Sequence, residues 1–189
     1  MSEQERPSGE ESAAQAEQPA PRPHRGPPIE TADETLSERG EATAKRLAAA
    51  LGADAVAAGG RGETPWARVE PSALERTLRR CRDDDALRFD MLHCLLAVDY
   101  VERIELDYVL ASVAHNRKAI IKVDLPPDAP SAPTATHLWQ AAAWYEREAH
   151  DLFGVVFDGN DDLAPLLLFE GFEGRPGLKS FPLHEYEEY

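Results

Sequence analysis

The sequence predicts an α+β chain. Three observations carry this. Two short runs, Ile104 to Leu110 and Ala119 to Leu125, alternate apolar and polar residues with period two. Helical apolar spacing recurs on both sides of them, at Leu47 and Leu51, at Leu74, Leu78 and Cys81, and again between His137 and Leu152. The flanks, residues 1–33 and 155–189, show neither period. Period two marks half-buried strands, and a 3.6-residue period marks amphipathic helices.

Residues 1–33 are rich in Pro, Glu, Gln, Ala and Ser. They bury too little apolar surface to offset ordering entropy and read as a disordered arm. Its Pro19, Pro21, Pro23, Pro27 and Pro28 favour an extended, polyproline-like stretch. Folding is expected from residue 34 to 154. Thr35-Leu36-Ser37-Glu38 has capping-box spacing, and Leu36, Ala44, Leu47 and Leu51 share one helical face. Gly40 weakens that first turn, and Gly52 ends the helix. Asp54 to Ala58 and Pro65 to Val69 read as strands, with Gly59, Gly60 and Gly62 as their turn. No Lys-Ser or Lys-Thr follows these glycines, so they form a hairpin rather than a phosphate cradle.

Pro71 suits the first turn of the next helix. That helix is crowded with Arg76, Arg79, Arg80 and Arg82, a solvated basic face by default or, more sharply, a seat for an acidic partner. Phe89 to Tyr100 is apolar and fits either a buried strand or a short helix. The two alternating runs then form an antiparallel pair with one buried face. Pro126, Pro127, Pro130 and Pro133 make a loop. Thr136 is expected to cap a helix over His137 to Leu152, closed by Gly154. From residue 155 the chain is short apolar pieces broken by Gly and Pro, carrying Phe169, Phe172, Phe181 and Tyr186. Aromatics without periodicity read as a tail that folds onto a partner.

Charge narrows the function. With 35 Asp and Glu against 20 Lys and Arg, the net charge is -15. Nucleic acid and anionic lipid both demand the opposite sign. No stretch reaches the apolar length of a bilayer span, and the N-terminus has no apolar signal core. The two cysteines, Cys81 and Cys94, are too few and too far apart for a zinc or iron–sulfur site and read as buried thiols.

The most informative run is Tyr145 to Gly154, Tyr-Glu-Arg-Glu-Ala-His-Asp-Leu-Phe-Gly. On a helix, Arg147 and Asp151 stand four apart, as do Glu146 and His150, and Tyr145, Ala149 and Leu152 make an apolar stripe. Glu146 and Glu148 point in different directions, so they are not an acid–base pair. Glu146 and His150 are too few for a metal. There is no nucleophile elbow and no dinucleotide fingerprint.

This run resembles the signature of the respiratory complex I 30 kDa subunit family: Glu-Arg-Glu, two residues, Asp, an apolar residue, an aromatic, Gly. The resemblance extends over roughly residues 36 to 184. It continues through Leu166-Leu167-Leu168 and the closing Glu173-Gly174-Arg175-Pro176-Gly177-Leu178-Lys179-Ser180-Phe181-Pro182. Departures are His150 for an aromatic, Asn160-Asp161 for His-Pro, Ala164-Pro165 at a usually basic spot, Arg175 for His, Gly177 for Leu, Leu178 for Arg and Ser180 for Asp. The resemblance implies a two-layer α+β domain of helices on a small mixed sheet, followed by an extended partner-binding tail over residues 155–189. It implies no catalytic residue, metal, flavin, cluster or quinone in this chain. FMN, iron–sulfur clusters, quinone and NADH would belong to the proton-translocating holoenzyme. The chain would clamp the quinone module, chiefly its large D-type subunit, with the B-type subunit and the two-cluster iron–sulfur subunit. It would sit peripherally on the cytoplasmic side of the cell membrane.

Glu146, Arg147, Glu148, Asp151 and Phe153 would then be interface or structural residues, together with Lys179 and Phe181 of the tail. Gly154, Gly174, Pro176 and Pro182 would shape the tail. Charges at a dry interface must be paired, so each should find a partner in the assembly. The same subunit type in a nickel–iron hydrogenase or an NADH-module-lacking quinone oxidoreductase is a second reading. An acidic soluble adaptor is a third.

Overall fold

The computed structural model describes residues 35–182. The expected disordered arm, and Tyr186 in the tail, lie outside the described residues. A five-stranded sheet is built from β1 (Ala55–Arg61), β2 (Thr64–Val69), β3 (Met91–Asp99), β4 (Ile104–Ser112) and β5 (Arg117–Leu125). Its order is β1-β2-β5-β4-β3. β2 and β5 run parallel and the other neighbours antiparallel, so the sheet is mixed.

α1 (Glu38–Leu51) packs over β1 and β2, and α3 (Ala142–Phe153) packs over β3. α2 (Leu74–Asp83) lies against α1. The sheet face toward them carries Val69, Leu95, Ile104, Leu106, Tyr108, Leu110, Ala119, Ile121, Val123 and Leu125, all in the core. The fold is α+β with helices on a mixed sheet, as the sequence predicts.

The apolar 89–100 segment resolves into strand β3. The 61–64 turn is narrower than expected: Gly59 and Gly60 belong to β1, and Gly62, at φ +59°, makes the turn with Glu63. Gly59 is required by packing, since a Cβ there would lie 2.6 Å from the Trp66 ring.

The α1 cap also differs. Ser37, not Thr35, caps the helix by accepting from the Gly40 N–H at 3.3 Å. Thr35 instead gives its carbonyl to the Gly62 N–H at 2.9 Å. The expected weak point at Gly40 is a close contact, because a Cβ there would collide with the Gly62 carbonyl oxygen.

The last helix begins at Ala142 rather than His137, and Thr136 does not cap it. Residues 135–141 form tight turns instead, pinned where the Trp139 indole N–H donates to the Phe89 carbonyl at 3.2 Å. Gly154 closes the helix as expected, at φ +78° with its N–H on the His150 carbonyl. The Pro-rich loop holds a short strand, β6 (Ser131–Pro133), which pairs in parallel with β7 (Val156–Asp158). Val155 and Phe157 enter the core.

The arginines of α2 are largely spent within the chain. Arg76 pairs with Asp54, Arg79 with Glu75, Arg82 with Asp83, and Arg80 donates to the Ala50 carbonyl. Cys81 is a buried thiol whose pKa burial pushes up to about 12, whereas Cys94 is only partly buried.

Candidate functional site

The signature run lies on α3, and its charges do not form the i, i+4 pairs that spacing alone would suggest. They reach off the helix. Glu146 is fully buried, and its carboxylate is filled by three donors. The Thr134 hydroxyl and the Ala135 N–H donate at 2.7 Å each, and the Asn160 amide donates at 2.9 Å. Burial pushes the Glu146 carboxyl up from its ordinary range, and the donors pull it back only in part.

Asp151 sits one turn further on, 3 % exposed. One of its oxygens accepts the consecutive N–H groups of Leu166, Leu167 and Leu168 at 3.2, 2.8 and 2.9 Å. Successive N–H groups converging on one carboxylate form an anion nest. Burial raises this carboxyl, but the three N–H donors and the nearby Arg175 outweigh it, so it lies below its ordinary range. Arg147 holds the same segment from the other side. Its guanidinium donates to the carbonyls of Ala164 at 3.0 Å and Pro165 at 2.9 Å, beneath the Trp144 ring.

The remaining tail is fastened in sequence. His150 donates its Nδ1–H to the Val155 carbonyl at 2.8 Å, a use for the residue where the family resemblance called for an aromatic. Arg175 donates to the Asp151 carbonyl at 3.1 Å. The Gly177 N–H donates to the Leu152 carbonyl at 2.9 Å, close beneath the Phe153 ring. The Lys179 N–H reaches Asp99 at 2.7 Å. Phe181 stacks on Phe172, which meets Phe169 edge-on. Gly174, at φ +95°, has no room for a Cβ, which would lie 2.7 Å from the Phe181 ring. Pro176 is half-buried, while Glu148 and Pro182 are exposed.

Glu146, Arg147, Asp151, Phe153, Gly154, Gly174, Lys179 and Phe181 are thus brought into one clasp. Sequence reasoning missed Thr134, Asp99 and the amides of 166–168, because their roles are set by contacts distant in the chain. Asn160 was visible only as a departure. Saturated carboxylates of this kind anchor a segment; they do not stand as an acid–base pair. Among the described residues, no group of three His, Cys, Asp or Glu could hold a metal, and no helix is long and apolar enough to cross a membrane.

Fold and site together define a helices-on-sheet scaffold that clasps its own tail along a signature helix. The family described as respiratory-chain NADH dehydrogenase, 30 Kd subunit, matches residues 67–187, and this chain belongs to it. It is 45 % identical over 123 residues to the C-type subunit of NADH-quinone oxidoreductase from Erythrobacter litoralis (strain HTCC2594), covering 64 % of this chain and 48 % of that one. The subunit of the same name from Rhodospirillum rubrum is 35 % identical over 158 residues, covering 82 % and 72 %. The chain spans about half the length of the first of these relatives.

Two solved structures share the fold. One is described as Nqo5 of a trypsin-resistant fragment, at TM-score 0.58 and 25 % identity, covering 65 % of this chain and 99 % of that one. The other belongs to the membrane-bound sulfane sulfur reductase, an archaeal respiratory membrane complex, at TM-score 0.67 and 28 % identity, covering 77 % and 87 %.

Proposed function

We propose that the chain is a non-catalytic structural subunit of the quinone module in the peripheral arm of a proton-pumping NADH–quinone oxidoreductase. It supports electron transfer from NADH to quinone by holding the module together. The observation that carries this reading is the clasp. Three signature charges are consumed in fixing the course of residues 160–168, and that course leaves Leu167 61 % and Phe169 71 % exposed. Large apolar side chains held rigidly in water suit an interface, since their ordering cost is met before a partner arrives.

In this reading the tail, with the exposed Glu148, Lys179 and Pro182 and the partly buried Phe181, faces the large D-type subunit of the module, next to the B-type subunit and the two-cluster iron–sulfur subunit. FMN, the clusters, NADH and quinone are bound by the other chains. The protein sits peripherally on the cytoplasmic side of the membrane, held there by its partners.

The likeness to the sulfane sulfur reductase complex favours one second reading, the equivalent subunit of a sister complex without an NADH module. Gentle solubilisation of native membranes, capture of this chain and identification of what accompanies it separates the two. Flavin- and NADH-binding subunits beside the quinone module support the first reading. A quinone-type module without them supports the second. Recovery of the chain alone overturns both.

A further inference from the structure

The β3–β4 hairpin turns through Tyr100-Val101-Glu102-Arg103, with the Tyr100 N–H on the Arg103 carbonyl at 2.9 Å. Val101 stands at φ +74°, the one residue of this turn in the left-handed region. Glycine is the ordinary occupant of such a position in a two-residue hairpin turn. A β-branched side chain is among the least suited, because its Cβ substituents crowd the backbone. Burial does not offset this strain, since Val101 is 66 % exposed. Strain held without any gain in packing is a mark of function.

The surroundings are ordered. Asp99, 8 % exposed, accepts the Val101 N–H on one oxygen at 2.6 Å and the Lys179 N–H on the other at 2.7 Å. One carboxylate therefore fixes turn and tail as a single surface. Tyr100, 40 % exposed, has the Arg103 guanidinium 4.2 Å from its ring centre and the Lys179 ammonium at 5.8 Å. Arg103 is partly neutralised by Asp124 and Glu102, whereas the Lys179 ammonium meets no carboxylate among the described residues.

We infer that this tip is a docking knob: Val101 and Tyr100 enter an apolar socket on a partner protein, and a carboxylate on the socket rim meets Lys179. The inference rests on the subunit reading above. On a chain of net charge -15, the Lys179 ammonium, without a carboxylate partner among the described residues, gives an acidic rim a cation to meet beside the Tyr100 ring. A valine already fixed by its backbone loses little freedom on binding.

The test replaces Val101 with Gly and with Asn, both at ease at positive φ, in the full-length chain as its only copy in the cell. The melting temperature of the purified chain should rise by about 2–4 °C, as relief of this strain would give in a chain of this size. Partner chains recovered from solubilised membranes should fall roughly tenfold, the loss of one well-seated apolar anchor. Lys179→Glu should lower recovery without raising the melting temperature. Unchanged recovery with Val101→Gly overturns the knob, and so does a fall in its melting temperature, which would mean that Val101 is held by packing. Binding of the isolated chain to phosphatidylglycerol vesicles that Lys179→Glu abolishes would assign the tip to lipid and overturn it too. If the unaltered chain itself brings no partners, the subunit reading falls first and the knob with it.

Discussion

Asp151 and Glu146 lie on one helix, yet protons act on them in opposite directions. The folded pKa of Asp151 is below its ordinary 3.8, so near that pH the unfolded chain binds more protons than the folded one. Its stabilisation is complete above the ordinary value and is lost as pH falls through the lower folded value. Glu146 is raised above its ordinary 4.5, so its contribution declines as pH rises through the folded value. Acid release of the tail is therefore a property of Asp151. Amide exchange at Leu166, Leu167 and Leu168, corrected for intrinsic rates, should stay protected at neutral pH and open below the ordinary Asp value. Asp151→Asn should lower that protection at neutral pH by about 10- to 100-fold, since a hydrogen bond to a charged acceptor is worth roughly 1.5–3 kcal/mol. It should also erase the acid dependence at these three amides; persistence of that dependence would place the switch elsewhere. The spacing of Glu146, Arg147 and Asp151 was legible in the sequence. Their partners were not, because a nest of three backbone amides carries no side-chain signal, and Thr134 resembles any other loop threonine.

At the scale of elements, α3 and the tail meet where a side chain is missing. A Cβ on Gly177 would lie 2.8 Å from the Phe153 ring and 2.9 Å from the Leu152 carbonyl oxygen. Gly177→Ala should therefore lift this stretch from the helix at a cost of about 1–3 kcal/mol, the usual range for overpacking. Trypsin cleavage after Lys179 should quicken roughly 5- to 100-fold with helix content unchanged. An unaltered digestion rate would show that the tail is held by its other bonds alone. Legibility differed among elements for physical reasons. β4 and β5 announced themselves because charged residues alternate with core residues. β3 did not, because Leu92 and Leu95 face the core while Cys94, Leu96 and Val98 keep the opposite side apolar too. The start of α3 was misplaced because Thr136 has the chemistry of a cap, but a buried Trp139 bonded to Phe89 holds the chain in turns for five more residues.

At the scale of the molecule, the β1–β2 hairpin joins the other three strands through one parallel pairing, Trp66 to Val69 against Ile120 to Val123. Parallel pairing is the weaker kind, so this is the seam at which the sheet would part. On the face opposite the helices the seam is stitched by charge. Glu105 of β4 accepts from Arg68 of β2 and from Lys122 of β5, and Lys122 also bonds Asp107. The Glu105 side chain is 3 % exposed and the Lys122 side chain 17 %. Burial alone would lower the Lys122 pKa, but its bonds to Asp107 and Glu105 raise it on balance, so it stays charged. The expectation of one buried face on the β4–β5 pair thus needs correction, since Glu105 is buried on the polar one. Glu105→Ala would remove the anion that Arg68 and Lys122 share, leaving Arg68 with Asp124 and Lys122 with Asp107. Because each cation keeps one carboxylate, the loss should be about 1.5–3 kcal/mol, the worth of hydrogen bonds to a charged group, still a sizeable share of the 5–15 kcal/mol typical of a whole protein. Urea unfolding of the full chain should show that loss, and added salt should not restore it, because buried charges are poorly screened. A loss below about 1 kcal/mol would mean that these charges behave as an ordinary solvated set. The hairpin would then be held by its backbone pairing to β5 and its apolar face on α1.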